Sequence, residues 1–169
     1  MGALPFHKLR VVVIDDNDHM RMLLHSMLSA FGVKNIMGEP NGRSGFAVVQ
    51  AMKPNLVLTD FAMQPVDGVE LVKMIRALAG PLAMIPIIMV TGHGERHYIE
   101  RARDAGVTEF LTKPVTARDL YLRIAEVIER PRPFVRAASY VGPCRRRKVL
   151  EGGYEKRRKS DFADDLVTR

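Results

Sequence analysis

"LVLTDFAMQPVDGVEL", residues 56–71, sets one carboxylate, Asp60, where an apolar run gives way to a Pro and a Gly. Leu56, Val57 and Leu58 read as a strand covered on both faces, so the residues after it emerge at the rim of a sheet. A charge at that rim asks for a reason, because ligands and chemistry gather at the carboxyl ends of such strands.

On either side of this stretch, from Arg10 to about Arg130, apolar runs of strand length alternate with segments of helical period. "RVVVID" (10–15, β1) is continuous and β-branched. Met20, Leu23, Leu24, Met27, Leu28 and Phe31 then recur as the stripe of an amphipathic helix (α1), which Gly32 stops. "NIMGE" (35–39, β2) is less apolar and suits an edge, and "GRSGFAVVQAMKP" (42–54, α2) ends at Pro54. "NLVLTD" (55–60) is β3, and Asp67-Gly68 opens a helix (α3) whose Val69, Leu71, Val72, Ile75 and Leu78 face inward until Gly80-Pro81. "IPIIMVTG" (85–92, β4), the polar "ERHYIERARDAG" (95–106, α4), "EFLTKP" (109–114, β5) and "TARDLYLRIAEVIER" (116–130, α5) complete the series, with Thr116 at the last cap. Alternation of buried strands and helices predicts an α/β fold: an open, doubly wound parallel sheet with helices on both faces. A closed eight-unit barrel needs far more chain.

Composition agrees with one domain and an extension. The chain has 169 residues, 47% hydrophobic, and a single cysteine, Cys144, which excludes an internal disulfide framework or a sulfur-built metal site. Residues 1–130 hold 15 Lys and Arg against 14 Asp and Glu, whereas residues 131–169 hold 11 against 5, so the last quarter carries most of the formal +7. The start lacks the apolar core of a signal peptide, Phe6 breaks a myristoylation pattern, and no window is apolar enough to span a bilayer, so a soluble cytoplasmic protein is expected.

The strand ends deliver Asp15 and Asp16 after β1, Asp60 after β3, Thr91 after β4, and Lys113 with Pro114 after β5. Each alone has an ordinary reading as a cap, a loop solubiliser, a strand former or a surface charge. Coming from four strands to one rim, they read better as a set. Three packed carboxylates repel one another unless a cation joins them, and without His or Cys the oxygen-loving Mg2+ is the expected resident. A Lys and a Thr beside it can bind the oxygens of a phosphoryl group arriving on Asp60, which makes Asp60 a nucleophile.

"VVVIDDN" (11–17), "LVLTDFAM" (56–63) with Asp67-Gly68, "MVTG" (89–92) and "FLTKP" (110–114), in this order and spacing, resemble the receiver domains of two-component response regulators, in particular the stand-alone chemotaxis type. The resemblance implies a flavodoxin-like five-stranded sheet of order 2-1-3-4-5 over residues 9–130, after a lead of residues 1–8. It implies that Asp60 takes a phosphoryl group from a sensor histidine kinase or histidine phosphotransfer protein. It further implies that Asp16 and Asp60 ligate Mg2+ directly, Asp15 through water, and the Ala62 carbonyl completes the protein's share. Lys113 would pair with the phosphoryl group, Thr91 would move to hydrogen-bond it, Phe110 would be the aromatic switch, and Pro114 would carry a cis bond that aims Lys113. Such a protein is a signalling switch with intrinsic autophosphorylation and autodephosphorylation chemistry, not a metabolic enzyme, and it reaches a downstream protein through its α4-β5-α5 face. Ala62 and His93 match the two variable positions that tune phosphoryl lifetime. One departure is Met63-Gln64-Pro65, where the family often has Met-Pro.

Residues 131–169 show no stripe long enough for a domain and read as a basic, largely irregular extension, with basic blocks at 145–148 and 156–159. No helix-turn-helix fits, so a sequence-specific DNA reader is not expected. Phe134, Val135, Tyr140 and Val141 are spaced to dock on the domain or on a partner. Two alternatives stay open: phosphorylation-gated binding of nucleic acid or an acidic surface through this extension, and a phosphorylation-independent adaptor.

Overall fold

Val11 and Val13 point to one face of β1 (Arg10–Ile14) and Val12 and Ile14 to the other, and all four are buried. That is the signature of a strand at the middle of a two-sided sheet. In the computed structural model, which describes residues 5–92, 96–145 and 166–167, the parallel sheet has the order β2-β1-β3-β4-β5. The other strands are β2 (Asn35–Glu39), β3 (Leu56–Asp60), β4 (Ile87–Thr91) and β5 (Glu109–Thr112). β3 and β4 are buried at every residue, while Met37 of the edge strand β2 is 46% exposed.

The two faces carry separate cores. On one, Leu24 and Leu28 of α1 (Asp18–Ala30) and Leu120, Ile124 and Val127 of α5 (Ala117–Glu129) pack on Val11, Val13, Leu58 and Val90. On the other, α2 (Gly42–Met52), α3 (Gly68–Arg76) and α4 (Arg96–Ala105) pack on Val12, Ile14, Val57 and Met89. Asn17, Asn41, Asp67 and Thr116 cap α1, α2, α3 and α5, each side chain accepting a backbone N–H three residues on.

Three features differ from the sequence-based expectation. Leu23 sits on the flank of α1, 41% exposed beside Met22, and Leu78 lies beyond the end of α3 in a turn that leads to the 3-10 segment Gly80–Met84. Within the lead, residues 6–8 form a 3-10 turn in which Phe6 is buried, its ring against Phe31 and Tyr121. The largest difference is in the extension. Residues expected to be irregular form an antiparallel hairpin, β6 (Phe134–Ala137) and β7 (Tyr140–Pro143), with Leu166–Val167 (β8) paired to β6. The hairpin holds because its residues find partners. The Tyr140 hydroxyl donates to the Pro143 carbonyl at 2.7 Å, and the Phe134 ring lies 5.0 Å from the Arg76 guanidinium. Most of the basic blocks, like His93, lie outside the described residues.

Arg76 anchors this end of the molecule. It is 4% exposed, and it donates to the carbonyls of Ala83 (2.8 Å), Ile85 (2.7 Å) and Gly106 (2.8 and 3.0 Å). A buried cation is costly unless its donors are satisfied, and here carbonyls do that work. Burial pushes its pKa down to about 9.

Candidate functional site

Asp15 comes directly after the last residue of β1, and Asp60 is the last of β3, the strand beside it. Adjacent parallel strands that end at one level therefore bring their terminal carboxylates together. Asp15 is 1% exposed and Asp60 6% exposed, while Asp16 faces solvent. Carboxylate oxygens of all three lie within 4.8 Å of one another.

Lys113, just past β5, reaches across the rim. Its Nζ lies 2.7 Å from Asp60 Oδ1 and 3.2 Å from Asp15 Oδ2. The Asn17 amide donates to Asp15 Oδ1 at 2.9 Å, and the Ala62 amide to Asp60 Oδ2 at 3.1 Å. Arg21 donates to the Asp15 carbonyl at 2.7 Å and also pairs with Asp18. The Lys113–Pro114 bond is cis, and so is Gln64–Pro65. The backbone N–H of Lys113 donates to the Thr91 carbonyl at 2.9 Å, which ties the β4 and β5 ends together.

Burial dominates the electrostatics of Asp15 and raises its pKa; the Asn17 N–H opposes this, the Asp60 charge adds to it, and Lys113 offsets it in part. For Lys113, burial works against the charge, but the hydrogen bond to Asp60 and the attraction of Asp60 and Asp15 outweigh it, and its pKa is raised. One ammonium thus serves two buried carboxylates beside a third acidic group. The donor set is all oxygen, which fits a hard divalent cation: Asp15, Asp16 and Asp60 form a cluster of the size that can hold one.

Of the residues singled out in the sequence, Asp15, Asp16, Asp60 and Lys113 converge directly. Ala62 contributes an amide, and Thr91, buried at the end of β4, lies on the same rim. Phe110 is half-buried in β5, paired in register with Met89 and packed against the α2–α3–α4 core. Gly68 is a residue whose role the sequence reading missed. A Cβ there would stand 2.0 Å from the Asp60 carbonyl oxygen, so only glycine lets α3 start against the backbone of Asp60. Its signal was the Asp67-Gly68 pair, read as the opening of a helix and as part of the receiver-like motif set, but not as a close approach to Asp60.

The family described as "Response regulator receiver domain" matches residues 11–125, more than half of the chain. The chain belongs to the response regulator receiver family. Among curated relatives, the chemotaxis protein CheY-3 of Vibrio cholerae is 28% identical over 130 residues, covering 77% of this chain and 99% of its own length. CheY of Pseudomonas aeruginosa is 28% identical over 122 residues, covering 72% and 98%. Among solved structures, the signal receiver domain of NarL from Mycobacterium tuberculosis superposes with a TM-score of 0.67 at 26% identity, covering 73% of this chain and 98% of that one. Vibrio cholerae CheY4 superposes with a TM-score of 0.67 at 24% identity, covering 70% and 98%, a likeness of fold. Receivers are signalling switches, and the extension after Arg130 lies outside the matched span. No helix among the described residues is long and apolar enough to cross a membrane.

Proposed function

We propose that the protein is a stand-alone response regulator that accepts a phosphoryl group on Asp60. The observation that carries this reading is the shared ammonium: Lys113 Nζ touches both Asp60 and Asp15, with Asp16 completing an acidic cluster beside the acceptor. In the transfer, a carboxylate oxygen of Asp60 forms a bond to phosphorus as the P–N bond of a phosphohistidine breaks, and the imidazole leaves with a proton. Such transfer is mostly positioning and charge neutralisation. Lys113 is already placed to follow the charge onto the phosphoryl oxygens. The Ala62 N–H, on Asp60 Oδ2, fixes the rotation of the carboxylate before attack.

Asp16 and Asp60 would hold Mg2+ directly, Asp15 through water, and the Ala62 carbonyl would complete the protein's share. Bound there, Mg2+ supplies positive charge to the phosphoryl oxygens. Thr91 is the hydroxyl that turns to the phosphoryl group, and Phe110 the ring that moves with it. Phosphorylation then biases an equilibrium between two arrangements of the α4-β5-α5 face, to the extent that it favours one of them. The donor is a sensor histidine kinase or phosphotransfer protein, the target a protein docking on that face, and the compartment the cytoplasm.

The test is intact-mass measurement after incubation with acetyl phosphate and Mg2+. The wild type gains one phosphoryl mass and Asp60→Ala does not. Lack of uptake by the wild type, or equal uptake by both, contradicts the reading.

A further inference from the structure

α4 is a polar helix that meets the core through Ala102 and Ala105, which are buried, and Tyr98, which is partly buried. Its two ends touch different parts of the molecule. Near the first turn, Tyr98 packs edge-on against Phe61, the residue after Asp60, with ring centroids 5.0 Å apart. At the far end, the helix stops at Gly106 in a left-handed conformation (φ 102°), and the hairpin sits on that turn.

The contact is backbone on backbone. A Cβ on Gly106 would stand 2.7 Å from the Val141 carbonyl oxygen, and one on Gly142 would stand 2.8 Å from the Gly106 Cα. Two glycines facing each other allow an approach that any other pair forbids. Flanking it, Arg132 donates to the buried Glu109 at the start of β5 (2.7 Å), Phe134 covers the Arg76 guanidinium, and that guanidinium holds the Gly106 carbonyl. The exposed Arg145–Asp104 pair adds little.

We propose that this hairpin, residues 132–145, is a built-in clamp on α4 that opposes phosphorylation of Asp60; the inference rests on the phosphoacceptor reading above. A ten-residue helix is a rod about 15 Å long. Displacing Phe61 at the site moves Tyr98 in the first turn, and the rod carries that motion to Gly106. The close Gly106–Gly142 approach accompanies the Asp60–Lys113 pair, and a shift of the α4 end toward or away from the hairpin would break its fit; the clamp therefore favours the free carboxylate to the extent that phosphorylation moves Gly106. By linkage, phosphorylation must weaken docking by the same factor by which docking weakens phosphorylation.

Two measurements test this. The first compares acetyl phosphate uptake, with Mg2+, by the wild type and Gly142→Val, whose branched side chain cannot fit against Gly106. The variant is expected to take up phosphate faster, and the coupling itself is read at equilibrium as beryllofluoride binding, with Mg2+, about 5-fold tighter or more in the variant. The second needs no variant: hydrogen exchange of the 134–143 amides is expected to accelerate when beryllofluoride and Mg2+ are added to the wild type. Equal uptake rates, slower uptake by a folded Gly142→Val, or unchanged exchange in a protein that does take up phosphate overturn the clamp and leave the phosphoacceptor reading standing. No uptake by either protein contradicts both.

Discussion

At the scale of single residues, Asp15 is the most buried acid among the described residues, next to Asp60 and paired with Lys113. Burial raises its pKa, so folding penalises its ionised form. An acid shifted this way contributes stability that is complete below its unfolded pKa and is lost as pH rises through the folded value. Without metal, Asp15→Asn is therefore expected to raise the melting temperature near neutral pH by about 2–4 °C. The gain should shrink as pH falls into the carboxylate range, and millimolar Mg2+ should stabilise only the wild type. Thermal melts with EDTA and with Mg2+ check this, and a lower melting temperature for Asp15→Asn in EDTA contradicts it. Asp15 and Asp60 were legible in the sequence because each ends an apolar run that reads as a buried strand, whereas Lys113 follows the mixed Glu109–Thr112 strand and was legible from its Lys-Pro pair within the set of strand ends. Arg76 was not legible: a basic residue in the last turn of a helix ordinarily faces water.

At the scale of elements, the packing of α3 on β3 depends on Gly68. A methyl group there overlaps the Asp60 carbonyl oxygen, a backbone atom that cannot swing away. Gly68→Ala is expected to destabilise by about 3 kcal/mol or more, through overpacking and displaced backbone. It should also slow phosphorylation, since Asp60 moves with its carbonyl. Urea denaturation measures the first effect and acetyl phosphate uptake the second; a loss below about 1 kcal/mol means that α3 can slide outward. Thr116→Ala removes the oxygen that accepts the Asp119 amide and should cost α5 about 1 kcal/mol. Strands and helices of the domain were readable because period and caps agree with each other. The hairpin was not, because Pro-rich, basic composition signals irregular chain. Only the spacing of Phe134, Val135, Tyr140 and Val141 hinted at docking, and Gly142, which makes the close approach possible, carries no such signal.

At the scale of the molecule, the two ends of the sheet do different work. The carboxyl ends assemble the acidic site, while the opposite end is closed by Arg76, which ties α3, the Gly80–Met84 turn and the α4–β5 connection, and by the hairpin laid over it. Arg76→Ala leaves the carbonyls of Ala83, Ile85 and Gly106 without this donor and removes the cation beneath Phe134. A loss of about 3–5 kcal/mol is expected in urea denaturation, with faster amide exchange across 134–143. A loss under about 1 kcal/mol would mean that water replaces the guanidinium at little cost.

The central claim is that the fold makes Asp60, and not its acidic neighbours, the atom donor to phosphorus. Borohydride reduces an aspartyl phosphate to homoserine, releasing phosphate, and so marks the acceptor permanently. After treatment with acetyl phosphate and Mg2+, reduction and peptide mass mapping should find homoserine at position 60 alone. Homoserine at 15 or 16, or at none of the three in protein that has taken up phosphate, would contradict the account.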